Sequence, residues 1–157
     1  MILFAGCRKQ VVEEVVYDNV IYDLDTVAVY GSATEKTRQK SAAQYYSILY
    51  GDLFQKSIPS DEMNDLSIIN SAVGDKKMLN DLIVTSYLSV PEVKVPTATE
   101  MRAGIDKFIR DTYLRFYLRE PSETEKYHFR SLITEDAAIT PKMIYSAFAL
   151  SNEYFFY

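Results

Sequence analysis

Three helix-start signals follow one another in the second half of the chain, and they constrain its fold more than any other feature. Thr97 with Glu100, and Ser122 with Glu125, have the spacing of capping boxes, in which a hydroxyl accepts from a backbone N–H and the Glu reaches back to the cap. Thr140 precedes a proline, whose missing N–H costs nothing at the first helical position. Each signal leads into an apolar stripe, so the sequence predicts a helical unit over residues 97–157.

The rest of the chain also shows helical periodicity. Apolar residues three and four positions apart predict helices over residues 34–57, 59–74 and 75–90, and the stripes of the last two include Ile69, Met78 and Leu82. The second half starts with one long amphipathic helix, which runs from Met101 to about Leu118. Residues 91–96 are an extended connector bounded by prolines.

The fold class predicted from these patterns is all-α. We expect about six helices in two three-helix halves, residues 32–90 and 97–157, which form a single helical domain over residues 32–157. A signal-like segment and a partly extended, Val-rich tether precede it over residues 1–31. A chain of 157 residues with 48% hydrophobic residues is long enough to bury the core of one such domain.

Composition argues against several classes of function. The net charge is −5 with both signs spread along the chain, so no basic stripe is available for nucleic acid. The chain has a single Cys, which excludes thiolate clusters and intramolecular disulfides. It also has a single His. The acidic residues of the tether lack the spacing of a calcium loop, and the five scattered glycines form no phosphate loop. We therefore expect no metal, no cofactor and no nucleic-acid partner.

An aromatic row on the predicted helix over residues 34–57 is the candidate partner surface. Tyr45, Leu49 and Leu53 lie one above another on this helix, and Tyr46, Tyr50 and Phe54 lie about 100° around the axis from them. A domain this small is not expected to bury both rows. The row of Tyr46, Tyr50 and Phe54 is therefore predicted to bind partner proteins, since Tyr is enriched at binding hot spots.

The N-terminus has an apolar run that ends in Phe4-Ala5-Gly6-Cys7. This segment resembles the lipobox of bacterial lipoproteins, although that family usually has Leu where Phe4 stands. The resemblance implies that Cys7 becomes the lipidated first residue and anchors the protein on the periplasmic side of a bacterial membrane. A start codon further upstream would supply the basic segment and the longer apolar run of such a signal. A cytoplasmic protein without lipid is the alternative.

A second pattern covers about residues 104–157. Phe108 and Tyr113 lie on one helix, Arg119 and Pro121 follow at its end, and the chain closes with a Ser-Asn-Glu-Tyr sequence ending at Tyr154. This pattern is similar to the phycobilisome-linker-like helical repeat, whose relatives occur in secreted and surface-layer-associated bacterial proteins.

The resemblance implies a helical adaptor or scaffold rather than pigment binding, because pigment linkers are commonly basic and this chain is acidic. Arg119 is expected to hold carbonyls or a carboxylate at the turn, Pro121 to stop the helix, and Tyr154 to place its ring in the core. Leu118 stands where the family usually has Gly.

No catalytic constellation is recognised, and we assign no catalytic residue. His128 has Glu125 three positions away but no nucleophile nearby, which favours a structural role. Glu123, Glu125, Glu135 and Asp136 could supply the paired carboxylates of a small carbohydrate- or peptidoglycan-acting enzyme, and this remains an alternative. The function expected from the sequence is a lipid-anchored, non-enzymatic accessory or scaffold subunit of a bacterial envelope complex, with a soluble subunit as a further alternative.

Overall fold

Polar caps begin most helices of the protein. The computed structural model describes residues 29–156, so Cys7 and most of the predicted tether lie outside the described residues. Ser41, Asp75, Thr97, Ser122 and Thr140 each accept a hydrogen bond from the backbone N–H three residues further on. The described helices are α1 (Ala42–Phe54), α2 (Ser60–Ala72), α3 (Lys76–Ser89), α4 (Ala98–Ala103), α5 (Ile105–Tyr117), α6 (Glu123–Glu135) and α7 (Pro141–Ala149).

The predicted all-α class is confirmed. Residues 29–156 contain these seven α-helices, short 3-10 turns at Ala33–Glu35 and Glu153–Phe155, and no strand. Two isolated bridges pair Tyr30 with Arg119 and Gln39 with Phe156. The predicted helix starts at Thr97, Ser122 and Thr140 are confirmed, and the first two form full capping boxes.

The first helix is shorter than predicted. Ser41 and Gln44 form a capping box, so α1 begins at Ala42 rather than near residue 34. Residues 34–41 include good helix formers, but backbone pairing overrides that preference. The N–H of Tyr30 donates to the carbonyl of Leu118 (2.8 Å), and the N–H of Lys40 donates to that of Phe155 (2.8 Å). The segment before α1 therefore lies against the second half of the chain.

The long helix predicted from Met101 to Leu118 is divided in two, which gives seven helices rather than six. Gly104 has φ −148° and ψ 63°, a conformation that ends α4. Its carbonyl accepts from the N–H of Phe108 at 2.9 Å and thereby starts α5. Glycine loses more backbone entropy than other residues inside a helix, so the break falls at the residue that supports the helix least.

Leu118 ends α5 in the left-handed region, with φ 53° and ψ 35°. Glycine adopts this conformation without the steric penalty that a Cβ brings. Leu118 takes the conformation at a cost of roughly 1–2 kcal/mol.

Both halves of the chain contribute to one hydrophobic core. α2 packs mainly on α1, α3 on α7, and α5 on α6 and α7, so α3 of the first half lies against a helix of the second. Tyr45 of α1 stacks on Phe155 at 4.8 Å, and its hydroxyl donates to the carbonyl of Ala149 at 3.1 Å. The C-terminal turn is thus packed against α1.

The expectation that Tyr46, Tyr50 and Phe54 form an exposed row is wrong. Their exposed fractions are 1%, 6% and 7%. The Tyr46 hydroxyl donates to the side-chain oxygen of Asn70 at 3.1 Å, and the rings of Tyr50 and Phe54 pack on Tyr87 at 5.7 and 5.4 Å. α2 and α3 cover α1 on this side, and the connector and the C-terminal turn contact it elsewhere. Both rows of the helix therefore belong to the core.

Candidate functional site

Arg119 is the centre of a buried ion cluster at the end of α5. Its guanidinium donates to both oxygens of Glu125 (2.9 and 2.6 Å) and to both oxygens of Glu153 (2.8 and 2.9 Å). Lys36 Nζ lies 3.2 Å from Glu153 Oε1, so two cations face two carboxylates. The hydrogen bonds from Arg119 lower the pKa of Glu125 to about 2. Each charged group in this cluster is paired with a group of opposite charge in the same cluster. The cluster therefore joins the segments that carry these four residues.

Two aromatic rings and a proline lie next to Arg119 at the turn between α5 and α6. The rings of Tyr113 and Tyr117 lie 4.9 and 5.6 Å from the guanidinium carbon. Pro121 is buried directly before Ser122, the cap of α6. α5 has already ended at Leu118 when the chain reaches Pro121, so the left-handed residue and the proline together separate α5 from α6.

Tyr154 joins the C-terminal turn to α1. Its side chain is fully buried, and its hydroxyl donates to Asp52 Oδ2 at 2.6 Å. Lys40 Nζ lies 4.1 Å from the centre of the Tyr154 ring. Burial raises the pKa of Asp52 to about 6 and lowers the pKa of Lys40 to about 8. Tyr154 therefore has its ring in the core and its hydroxyl on a half-buried carboxylate.

The carboxylates considered for catalysis bond to residues close in sequence. Glu123 pairs with Lys126 at 2.8 Å, Glu135 accepts from Ser131, and Asp136 accepts from the N–H of Ala138 at 2.7 Å. Glu125 belongs to the Arg119 cluster. His128 is exposed beside the ring of Phe129. The contacts of these carboxylates are those of helix ends and of the ion cluster.

A groove opens between α2 and α3 because the two helices pack on different neighbours. It has a volume of about 570 Å³, within the usual range of ligand-binding clefts. We call it the α2–α3 groove, and the lining residues that matter below are Asp61, Glu62, Asp65, Ile69, Leu82 and Tyr87.

Exposed apolar side chains are concentrated on these two helices. Of the eight large apolar side chains that are exposed within residues 29–156, four lie on α2 or α3: Ile68 (67%), Ile69 (44%), Met78 (53%) and Leu82 (58%). Helical periodicity had placed three of them on core-facing stripes. That prediction is wrong because α2 packs mainly on α1 and α3 mainly on α7, so the stripes are wider than the surface that these neighbours cover.

One side of the α2–α3 groove is acidic. Asp61, Glu62 and Asp65 of α2 line it, and no Lys or Arg of the described chain does. None of the three carboxylates forms an ion pair with a described residue. Asp61 and Glu62 lie in the first turn of α2, where the helix dipole favours them, whereas Asp65 lies one turn further on.

Tyr87 places a polar atom in the apolar floor of the groove. The residue is 92% buried, since its exposed fraction is 8%. Its hydroxyl is closed off from solvent and lies beside the carboxylate of Glu62. Burial and this carboxylate raise the pKa of Tyr87, so the hydroxyl stays protonated. A protonated phenol beside a carboxylate can donate to it, so Glu62 is the partner at hand for this buried hydroxyl.

A second cleft beside the connector differs from the α2–α3 groove in how its charged side chains are paired. It has a volume of about 560 Å³ and carries charges of both signs. Glu100 is used in the capping box of α4, Asp111 pairs with Lys107, and Arg115 donates to the carbonyl of Lys94. Because four of its five charged side chains are already engaged, this cleft offers less to a ligand than the α2–α3 groove.

The chain matches no family model, no curated protein and no solved structure with which it was compared. Within residues 29–156, no helix combines the length and the apolar content needed to cross a membrane. Among the same residues, no three His, Cys, Asp or Glu side chains are grouped so that they could hold a metal ion.

Proposed function

We propose that this chain is a non-enzymatic accessory or scaffold subunit of a bacterial envelope complex. In this proposal a lipid on Cys7 holds it on the periplasmic side of a membrane, and its helical body binds partner proteins. The observation that carries the binding part is that Ile69 and Leu82, two exposed apolar side chains on different helices, both line the α2–α3 groove beside three carboxylates. Contiguous exposed apolar surface rimmed by polar groups is typical of interaction sites.

The polar clusters elsewhere in the molecule are consistent with a scaffold. The Arg119 cluster holds α5, α6 and the C-terminal turn together, and the contact between Asp52 and Tyr154 joins that turn to α1. Such interactions stabilise a fold and use the charged groups that an active site would need.

The proposed lipid anchor depends on the lipobox-like sequence before Cys7. Diacylglycerol attached through a thioether, together with acylation of the freed amine, gives several acyl chains. Several chains hold a protein at a bilayer stably, whereas a single chain binds marginally. A scaffold held in this way would present its groove to proteins at the same membrane.

Membrane fractionation tests the anchor. The chain, expressed from its natural gene with whatever sequence precedes Met1, is expected in the membrane pellet and to incorporate labelled fatty acid. The variant Cys7→Ser is expected in the supernatant without label, because serine has no thiol to form the thioether. Tyr127→Gln, at an exposed position of α6, is the matched control and should fractionate like the wild type. Equal distribution of the wild type and Cys7→Ser would rule out the lipid anchor.

A further inference from the structure

We propose that the α2–α3 groove binds one amphipathic helix of a partner protein, with its apolar face on Ile69 and Leu82 and with Lys or Arg along the edge that meets Asp61, Glu62 and Asp65. This inference rests on the proposed function and deepens it, since it gives the chemistry of the partner. It is carried by the exposed apolar side chains that line the groove and by the charge of one edge.

The shape favours a helix. Ile69 of α2 and Leu82 of α3 are about half exposed, and both line the groove between these two helices. A helix lying in such a groove places side chains at spacings of three, four and seven residues against the apolar floor. It also satisfies its own backbone hydrogen bonds, so it brings no unpaired N–H or C=O groups into the groove.

The charge favours a basic occupant. Three carboxylates without ion-pair partners among the described residues line one side, and the chain as a whole has a net charge of −5. An acidic helix would be repelled at this edge. A second copy of the chain, docked groove to groove about a two-fold axis, would bring its own acidic edge to the same interface. Lys or Arg side chains of a partner would instead pair with carboxylates that form no ion pair within the described chain.

A synthetic peptide tests the proposal. The probe is a fluorescent peptide of about 18 residues, or five helical turns, with Leu at spacings of three and four on one face and Lys at the flanking positions. We expect it to bind the full chain, as measured by fluorescence anisotropy, and to bind more weakly as salt increases. The control peptide has Glu in place of every Lys and should bind at least about tenfold more weakly.

Matched variants locate the binding site. Leu82→Gln should weaken binding by about tenfold, because it removes apolar contact while keeping a good helix former. Asp65→Asn should weaken binding severalfold and reduce its salt dependence. Tyr127→Gln and Glu92→Gln make the same kinds of change at exposed positions outside the groove, and both should bind within about twofold of the wild type. Circular dichroism verifies that each variant is folded.

The proposal is overturned if neither peptide binds, if both bind equally, or if Leu82→Gln binds the Lys peptide like the wild type. A dimer in sedimentation velocity that Leu82→Gln dissociates would identify a second copy as the occupant, which also overturns it. These outcomes leave the dependence of membrane fractionation on Cys7 untouched, so failure of this inference is distinguishable from failure of the anchor.

Discussion

The C-terminal turn region and the α2–α3 pair use the same kinds of residue in opposite ways. Around Arg119, two half-buried carboxylates meet two cations with nearly buried side chains, and each charge has a partner inside the protein. On α2, three carboxylates line a groove without an ion pair to a described residue. The comparison teaches that acidic residues close together stabilise the fold in one place and leave charge for a partner in the other.

The apolar residues show the same contrast. α5 has six buried residues, and its Tyr113 and Tyr117 rings pack against Phe148 at 4.9 and 4.6 Å. α2, of the same length, has Leu66 as its one buried residue. α5 is therefore held by the core, whereas much of the apolar surface of α2 is free to contact another protein.

The largest effect is expected in the interior next to the groove. The double variant Tyr46→Ala with Tyr50→Ala removes two buried rings, and each should cost about 3–5 kcal/mol of unfolding free energy. The sum approaches the whole stability of a typical domain, so the variant should be largely unfolded at 25 °C by circular dichroism. A folded double variant with an unchanged thermal midpoint would mean that this row is not part of the core.

Arg119→Met should have the next largest effect. It leaves Glu125 and Glu153 half-buried without their main cation and should lower the unfolding free energy in urea by about 3–5 kcal/mol. The matched control is Arg110→Gln, which breaks the exposed pair with Glu120 and should cost at most about 1 kcal/mol. Equal losses for the two variants would remove the contrast between the buried cluster and the surface.

The effect of Asp52→Asn on the free energy of unfolding should be intermediate in size and should depend on pH. The pKa of Asp52 is raised from 3.8 to about 6, mainly by burial, so its neutral form contributes stability that is full below about pH 4 and lost as pH rises through 6. Asparagine stays neutral and keeps an oxygen to accept from Tyr154. The variant should therefore be more stable than the wild type by about 1–2 kcal/mol at pH 7, with the difference vanishing near pH 4.

Lys40 and Arg115 attract the Asp52 carboxylate and oppose the effect of burial without reversing it. Urea unfolding of both proteins between pH 4 and 7 measures the difference. A difference that stays constant with pH, or that is larger at pH 4, would show that Asp52 titrates normally in the folded protein.

The sequence predicted those parts of the fold that depend on local chemistry. The caps at Asp75, Thr97, Ser122 and Thr140 are short-range signals, and each begins a helix where expected. The break at Gly104 was missed because the apolar stripe continues through it. The cap at Ser41 was missed because good helix formers precede it, and pairing with the distant C-terminal turn decides where α1 begins.

The candidate site depends on which helices pack against each other. The helical periodicity of the sequence does not contain that information. Tyr50 looked available and is buried, because α1 is surrounded by other elements. Leu82 looked buried and is 58% exposed, because α3 packs mainly on α7 and leaves this position uncovered. The adjacent pair Ile68 and Ile69 was a signal that could have been noticed, since two neighbouring positions on a helix cannot both point to the centre of one narrow stripe.

The measurement that tests the central claim most directly is made on Leu82→Gln, with urea unfolding and binding of the Lys peptide determined on the same sample. If the groove is a binding surface, the unfolding free energy should stay within about 0.5 kcal/mol of the wild type while the dissociation constant rises by about tenfold. A loss of more than about 2 kcal/mol in stability, with peptide affinity unchanged in the folded protein, would mean that Leu82 supports the core and that the groove is not the binding site.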